Sequence, residues 1–125
     1  MRKRMVKVTT QLGEKKVSVP AHFPVKGLAV HRGVARLEYG KPVFDSEFWA
    51  VTHISSGLAV KRNISFVGAM RLAGIISDAV DWTKPVDDIL PLMRSKFPLF
   101  KKIAGLVESG ATDGEILSAI SEEYE

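Results

Sequence analysis

A chain of 125 residues, 46% of them hydrophobic, is the size of one domain and can bury roughly two-thirds of its unfolded surface without a covalent staple. The absence of cysteine excludes a disulfide framework, a Cys-based zinc site and a thiol nucleophile, and fits a reducing, cytoplasmic compartment. The net charge of +4 conceals a segregation: residues 1–36 hold nine lysines or arginines against one acid, Glu14, a net of +8, while the remainder holds nine basic and thirteen acidic residues, a net of −4.

Residues 5–9 alternate, with Val6 and Val8 set between Met5, Lys7 and Thr9, the period-two pattern of a half-buried strand. Gln11-Leu12-Gly13-Glu14 reads as a turn. Residues 15–19 read as a second strand that Pro20 stops, because proline offers no ladder donor. His22-Phe23-Pro24 is expected to be irregular. Alternation returns over residues 28–39, with Gly33 as a bulge or turn, and Gly40-Lys41-Pro42 then punctuates the chain. Residues 48–54, aromatic and β-branched, are the strongest strand. Ser55-Ser56-Gly57 is a compact turn, and residues 58–61 return as its partner.

The period changes after Asn63. Ser65 is a candidate N-cap, and Phe66, Ala69, Met70, Ala73, Ile76 and Val80 recur at helical spacing. Gly68 and Gly74 each cost about 1 kcal/mol of helix propensity, so a packing reason is expected for them. Between residues 65 and 79 only Arg71 and Asp78 are charged, which predicts a buried helix, on the sheet or in a dimer interface. Residues 64–80 are too few to span a bilayer comfortably, and no apolar run of signal-peptide length follows the basic start, so no membrane partner and no secretion are expected.

Thr83, Pro85 and Asp87-Asp88 mark another helix start, with Thr83 able to cap and the acids suited to the helix dipole. Pro91 is expected to bend or shorten that helix, and Phe97-Pro98 to open the next. Trp82 is expected in the core. Gly110 is a C-terminal stop. Thr112-Asp113-Gly114-Glu115 is a capping box for a last helix. The fold class predicted is α+β: an N-terminal antiparallel meander of four to six strands, covered by a helix, with a helical C-terminal subdomain. Residues 1–125 read as one domain, β-rich over 1–62 and helical over 63–125.

Gly27-Leu28-Ala29-Val30-His31-Arg32-Gly33 echoes Gly57-Leu58-Ala59-Val60-Lys61-Arg62-Asn63, two strand starts that end in basic pairs. Seven residues are too few for a repeat architecture. If their strands were neighbours, the pairs would build a cationic patch.

The residue types needed for chemistry are sparse. His22, His31 and His53 lack metal-ligand spacing. Thr52-His53 and Asp45-Ser46-Glu47 contain the groups of a hydrolase without a nucleophile elbow or phosphate-cradling loop. The reading is therefore a non-enzymatic binding protein without cofactor or metal. Its candidate nucleic-acid-binding residues are Arg2, Lys3, Arg4, Lys7, Lys15, Lys16, Lys26, Arg32, Lys61 and Arg62. Phe23, Tyr39, Phe44, Phe48 and Trp49 are strand aromatics able to stack on bases. The alternative is a protein-interaction module, an inhibitor, adaptor or homodimer, using the apolar helix 66–80 or the C-terminal helical hairpin.

Two resemblances bear on this. Leu106-Val107-Glu108-Ser109-Gly110-Ala111-Thr112-Asp113-Gly114-Glu115-Ile116 is similar to the turn region between the first two helices of helix-turn-helix proteins. The residues after it are acidic, so a hairpin packing on the domain or a partner is expected there rather than a DNA-reading helix. Residues 48–60 and the helix after them resemble the strand–turn–strand–helix core of small uncharacterised proteins carried by phages and plasmids. That resemblance implies an accessory or regulatory protein of a mobile element.

Overall fold

The structure is a computed structural model that describes residues 4–10 and 13–124, with side chains described for 4–9 and 16–119. Five strands, β1 (Arg4–Thr10), β2 (Gly13–Val25), β3 (Leu28–Glu38), β4 (Lys41–His53) and β5 (Ala59–Ile64), precede three helices, α1 (Phe66–Ser77), α2 (Val86–Glu108) and α3 (Asp113–Tyr124). The strands form an antiparallel meander in chain order, as the α+β reading expects.

Strand β2 passes through Pro20 instead of ending there, because it changes partner. Its first part pairs with β1 as far as Ala21, and His22 to Val25 pair with β3. Around Pro20 the strand is hydrogen-bonded on one side only, where a missing donor is tolerated. The expected irregularity at residues 22–24 is a register shift within the strand. Gly33 lies at a second shift, as expected, between Arg32 and Val34.

The sheet is covered on both faces. On one face Leu28, Val30, Val51, Val60 and Ile64 pack under α1 and α2, with Leu72, Ile76, Phe100 and Ile103 completing that core. On the other face Val6, Val8, Val19 and Ala21 of the β1–β2 hairpin close over Ala29, Val34, Phe44 and Ile54. Alternation within each strand sends its residues to the two cores in turn. The meander curls toward closure: the Thr9 amide donates to the Gly57 carbonyl at 2.7 Å, bringing the end of β1 to the β4–β5 turn.

Helix α1 is capped as expected, Ser65 Oγ accepting from the Gly68 amide at 3.0 Å. Its glycines differ. A Cβ on Gly68 would press on the Glu108 carboxylate and Ser65 Oγ, whereas Gly74 has no neighbour within 4 Å, so the packing reason holds for Gly68 alone. Thr83 does not cap α2. Its amide and hydroxyl both donate to Asp81 Oδ1, and Pro85 occupies the N-cap without a side-chain bond. Helix α2 also runs unbroken through Pro91 and Pro98, where two helices were expected. Both prolines are exposed, as are Asp87 and Arg94, whose carbonyls lose their partners and face water. The buried stripe Ile89, Leu99, Phe100, Ile103, Ala104 and Val107 holds the helix together across them. Gly110 ends it with φ +82°, and the Thr112–Glu115 capping box is formed, the Glu115 amide donating to Thr112 Oγ1 at 3.2 Å. No helix among the described residues is long and apolar enough to cross a membrane.

Trp82 joins the two halves. It is 2% exposed, its indole Nε1 donates to the Ile76 carbonyl at 3.0 Å, and its ring packs on Phe100. Gly27, at φ +88°, lies so close that an added Cβ would stand 2.5 Å from the Trp82 carbonyl.

Candidate nucleic-acid interface

Of the ten basic residues singled out from the sequence, Arg2 and Lys3 lie outside the described residues, as does the side chain of Lys15. The remaining seven fall into two groups. Lys7, Lys16, Lys26, Lys61 and Arg62 border the β4–β5 turn and the strand that leaves it. Arg62 Nη2 donates to the Thr9 carbonyl at 3.5 Å, and the Lys16 stem lies against Gly57. Lys26 sits in the adjoining β2–β3 turn, where the Gly27 carbonyl accepts from the Ile54 amide at 2.9 Å. Arg4 and Arg32 lie toward the other end of the strands. The Leu28–His53 and Arg32–Trp49 pairs are four residues apart in register, or roughly 13 Å at strand rise.

The echoed segments form β3 and β5, which flank β4 rather than pairing with each other. They still bring His31 and Arg62 together, in a pocket of about 120 Å³ shared with Thr9, Asp45, Phe48 and Asn63. His31 Nδ1 donates to the Arg32 carbonyl at 2.9 Å, and Nε2 accepts from Thr52 Oγ1 at 2.7 Å. Burial pushes its pKa below the ordinary 6.5, and the Arg62 charge adds to this against the opposing bond to Arg32. The imidazole is therefore neutral beside the guanidinium and contributes no positive charge. The Asp45 carboxylate accepts from the Glu47 and Phe48 amides at 2.8 and 3.0 Å. Those two bonds lower its pKa, the Glu47 amide most.

The second group is aromatic as well as basic. The Arg32 guanidinium stands 5.3 Å from the Trp49 ring centroid, and Arg4 lies 4.3 Å over Phe23. Trp49 packs on Phe66 at 4.6 Å between centroids, and His22 touches both rings, at 6.0 and 5.3 Å. Register explains the cluster: Arg32 pairs with Trp49, so both side chains share one face, just beyond the start of α1. His22 and Phe66 were missed as members from the sequence. Phe66 reads there as the first apolar residue of a buried helix, yet it is 36% exposed. Of the strand aromatics, Phe48 and Tyr39 are exposed, while Phe23, Phe44 and Trp49 are half-buried, Trp49 packed against the first core and Phe23 and Phe44 against the second.

Among the described residues, none of Arg4, Lys7, Lys16, Lys26, Arg32, Lys61 and Arg62 has a carboxylate within ion-pair distance. Arg36 does, on Glu38 at 2.9 Å, as does Arg71, on Asp113 at 2.7 Å.

His53 is a structural clip in this arrangement. Its Nε2 donates to the Trp82 carbonyl at 3.1 Å and its Nδ1 accepts from Ser56 Oγ at 2.8 Å, with the ring fully buried. The three histidines do not gather, and no group of three His, Asp or Glu side chains able to hold a metal is found among the described residues.

On the helical side, Met70, Gly74, Ile75 and Ala79 of α1 and its C-terminal turn face Ile116 and Leu117 of α3 across a groove of about 910 Å³, with Leu117 63% exposed. No protein-family model matches this chain, and no curated protein or solved structure matches it either.

Proposed function

We propose that this chain is a non-enzymatic nucleic-acid-binding protein that holds the phosphate backbone against its basic β-region, in keeping with an accessory or regulatory role in a mobile element. One observation carries the reading: seven described cations of this region have no carboxylate partner among the described residues, and two of them lie over half-buried aromatic rings. Like charges held together without counter-charges repel one another, and a polyanion relieves that repulsion while releasing its own counterions. Guanidinium groups beside half-exposed rings also combine phosphate contact with base stacking, the pairing that single-strand binders use.

A salt-titrated binding assay with DNA and RNA, each single- and double-stranded, tests this. The expected result is an affinity that falls linearly on a log–log plot against salt. No binding to any of the four at low salt ends the reading.

The α1–α3 groove supports a second reading, a protein-interaction module or homodimer seated on Met70, Ile75 and Leu117. Apolar burial is not screened by salt, so a complex that survives high salt in light scattering favours this alternative.

A further inference from the structure

Resting on that function, we propose that Tyr39 is a base-stacking residue, carried at the tip of a β-arm and directed at an unpaired base of a single-stranded nucleic acid. Beyond the Val34–Phe44 pair, which still packs on the second core, the β3–β4 pair leaves the body of the protein, and residues 35–41 are all exposed. From Val34 to the tip is five residues, roughly 16 Å at strand rise. At the tip Glu38 pairs with Lys41, leaving Tyr39 and Gly40 as a two-residue turn with φ +53° and +76°. Both central residues of such a hairpin turn need positive φ, and asparagine followed by glycine suits it best. A tyrosine there is strained, and this ring is fully exposed, at 103%. Stability alone therefore does not account for the residue: it strains the backbone, packs on nothing and presents a bare aromatic face to solvent.

The charge of the arm says what that face meets. Arg36 is paired with Glu38, Asp45 at the arm's base lies beside Arg32, whose Nη1 donates to the Asp45 carbonyl at 3.4 Å, and Lys41 and Glu47 are the remaining charges. The arm is thus close to neutral and unsuited to gripping phosphates. Its apolar tip, Tyr39 beside the Leu37–Pro42 cross-strand pair, suits a base instead. Carboxylates along the arm penalise the dense charge of a duplex more than that of a single strand. Only an unpaired base offers its face without prior unstacking.

The test measures binding of the intact chain to a labelled single-stranded oligonucleotide and to its duplex, using the wild type, Tyr39→Asn and Tyr39→Phe, with thermal melting of each protein. Tyr39→Asn is expected to melt at the same or a higher temperature, because the turn is relieved. It should lose about 5- to 150-fold in single-strand affinity, the span of one base–aromatic stack, with the salt slope unchanged. Tyr39→Phe should bind as the wild type does. Single-strand binding by Tyr39→Asn within twofold of the wild type overturns the proposal and leaves the basic-region reading standing. Equal losses in Tyr39→Phe and Tyr39→Asn overturn the role of the ring. A loss confined to the duplex overturns the choice of single strand. Absence of all binding in the wild type at low salt removes this proposal together with the reading it rests on.

Discussion

The β-region and the helical region treat charge in opposite ways. In the helical region charges are used locally. Arg71 bridges α1 to Asp113 and the Ala111 carbonyl, Glu108 holds Ser65, and Asp87 and Asp88 sit in the first turn of α2. In the β-region Arg36 pairs with Glu38, Arg32 and Arg62 donate to backbone carbonyls only, and a histidine that could add charge beside Arg62 is kept neutral by burial. Charges used in folding leave little for a partner, whereas cations with no counter-charge among the described residues keep their field directed outward. The helical region instead exposes apolar surface, in the α1–α3 groove.

The largest expected effect asks whether the two regions are separable at all. Trp82 is bonded to β4 through His53 and to α1 through the Ile76 carbonyl. Trp82→Ala is expected to lower the unfolding free energy by about 3–5 kcal/mol, the usual cost of emptying a buried tryptophan site. Helical and sheet signals should be lost in one denaturant transition. Two separated transitions would mean that the regions fold independently and the contrast between them is one of modules.

The second effect tests where the outward field acts. Replacing Lys7, Lys16, Lys61 and Arg62 together by glutamine should flatten the log–log salt slope by about three, at 0.7–0.9 per phosphate contact. Lys84→Gln with Lys101→Gln, in the helical region, should leave the slope unaltered. Equal flattening in both variants would erase the distinction.

The same contrast governs what the sequence made legible. The charge segregation, the change of period near Asn63, the Ser65 cap and the Thr112–Glu115 box are local signals, and they appear in the structure where they were read. The misread positions are those where tertiary packing overrides a local rule. Pro20 sits inside a strand because β2 exchanges partners there, and Pro91 and Pro98 sit inside α2 because its opposite face is buried. The arginine–aromatic cluster depends on register, since Arg32 meets Trp49 only through the β3–β4 pairing and a one-residue slip would part them. Gly40 marks the turn in the sequence, but Tyr39 reads as the end of its strand and not as a turn residue, because the asparagine that usually precedes such a glycine is missing.

Acid offers a finer probe of the β-region. His31 and His53 both have pKa values lowered from 6.5, in each case mainly by burial. A base whose folded pKa is depressed takes up protons in the unfolded chain first, so its stabilising contribution is complete above 6.5 and is lost as pH falls toward the folded value. The depressed carboxylates Asp45 and Asp81 have an ordinary value of 3.8 and act only in more acid solution. Unfolding free energy should therefore decline between pH 7 and pH 5, with amide exchange quickening in β3 and β4 before α2. A flat profile over that window would show that neither ring is held neutral.

The smallest effect lies at the seam between the regions, where Ser65 follows β5 directly and opens α1. Its hydroxyl accepts from Gly68 and donates to Glu108 Oε1 at 2.8 Å, while its own amide donates to the same oxygen at 2.8 Å. The carboxylate at the end of α2 thus stands at the positive end of α1, satisfying donors that the helix cannot satisfy itself. Ser65→Ala should cost about 1 kcal/mol, as N-cap losses do. Glu108→Gln, which keeps an acceptor oxygen and removes the charge, should cost a few tenths, within the range of helix-dipole effects. If Glu108→Gln cost more than Ser65→Ala in denaturant melts, charge rather than hydrogen bonding would hold this seam. The helical region would then depend on an electrostatic field as much as the β-region does.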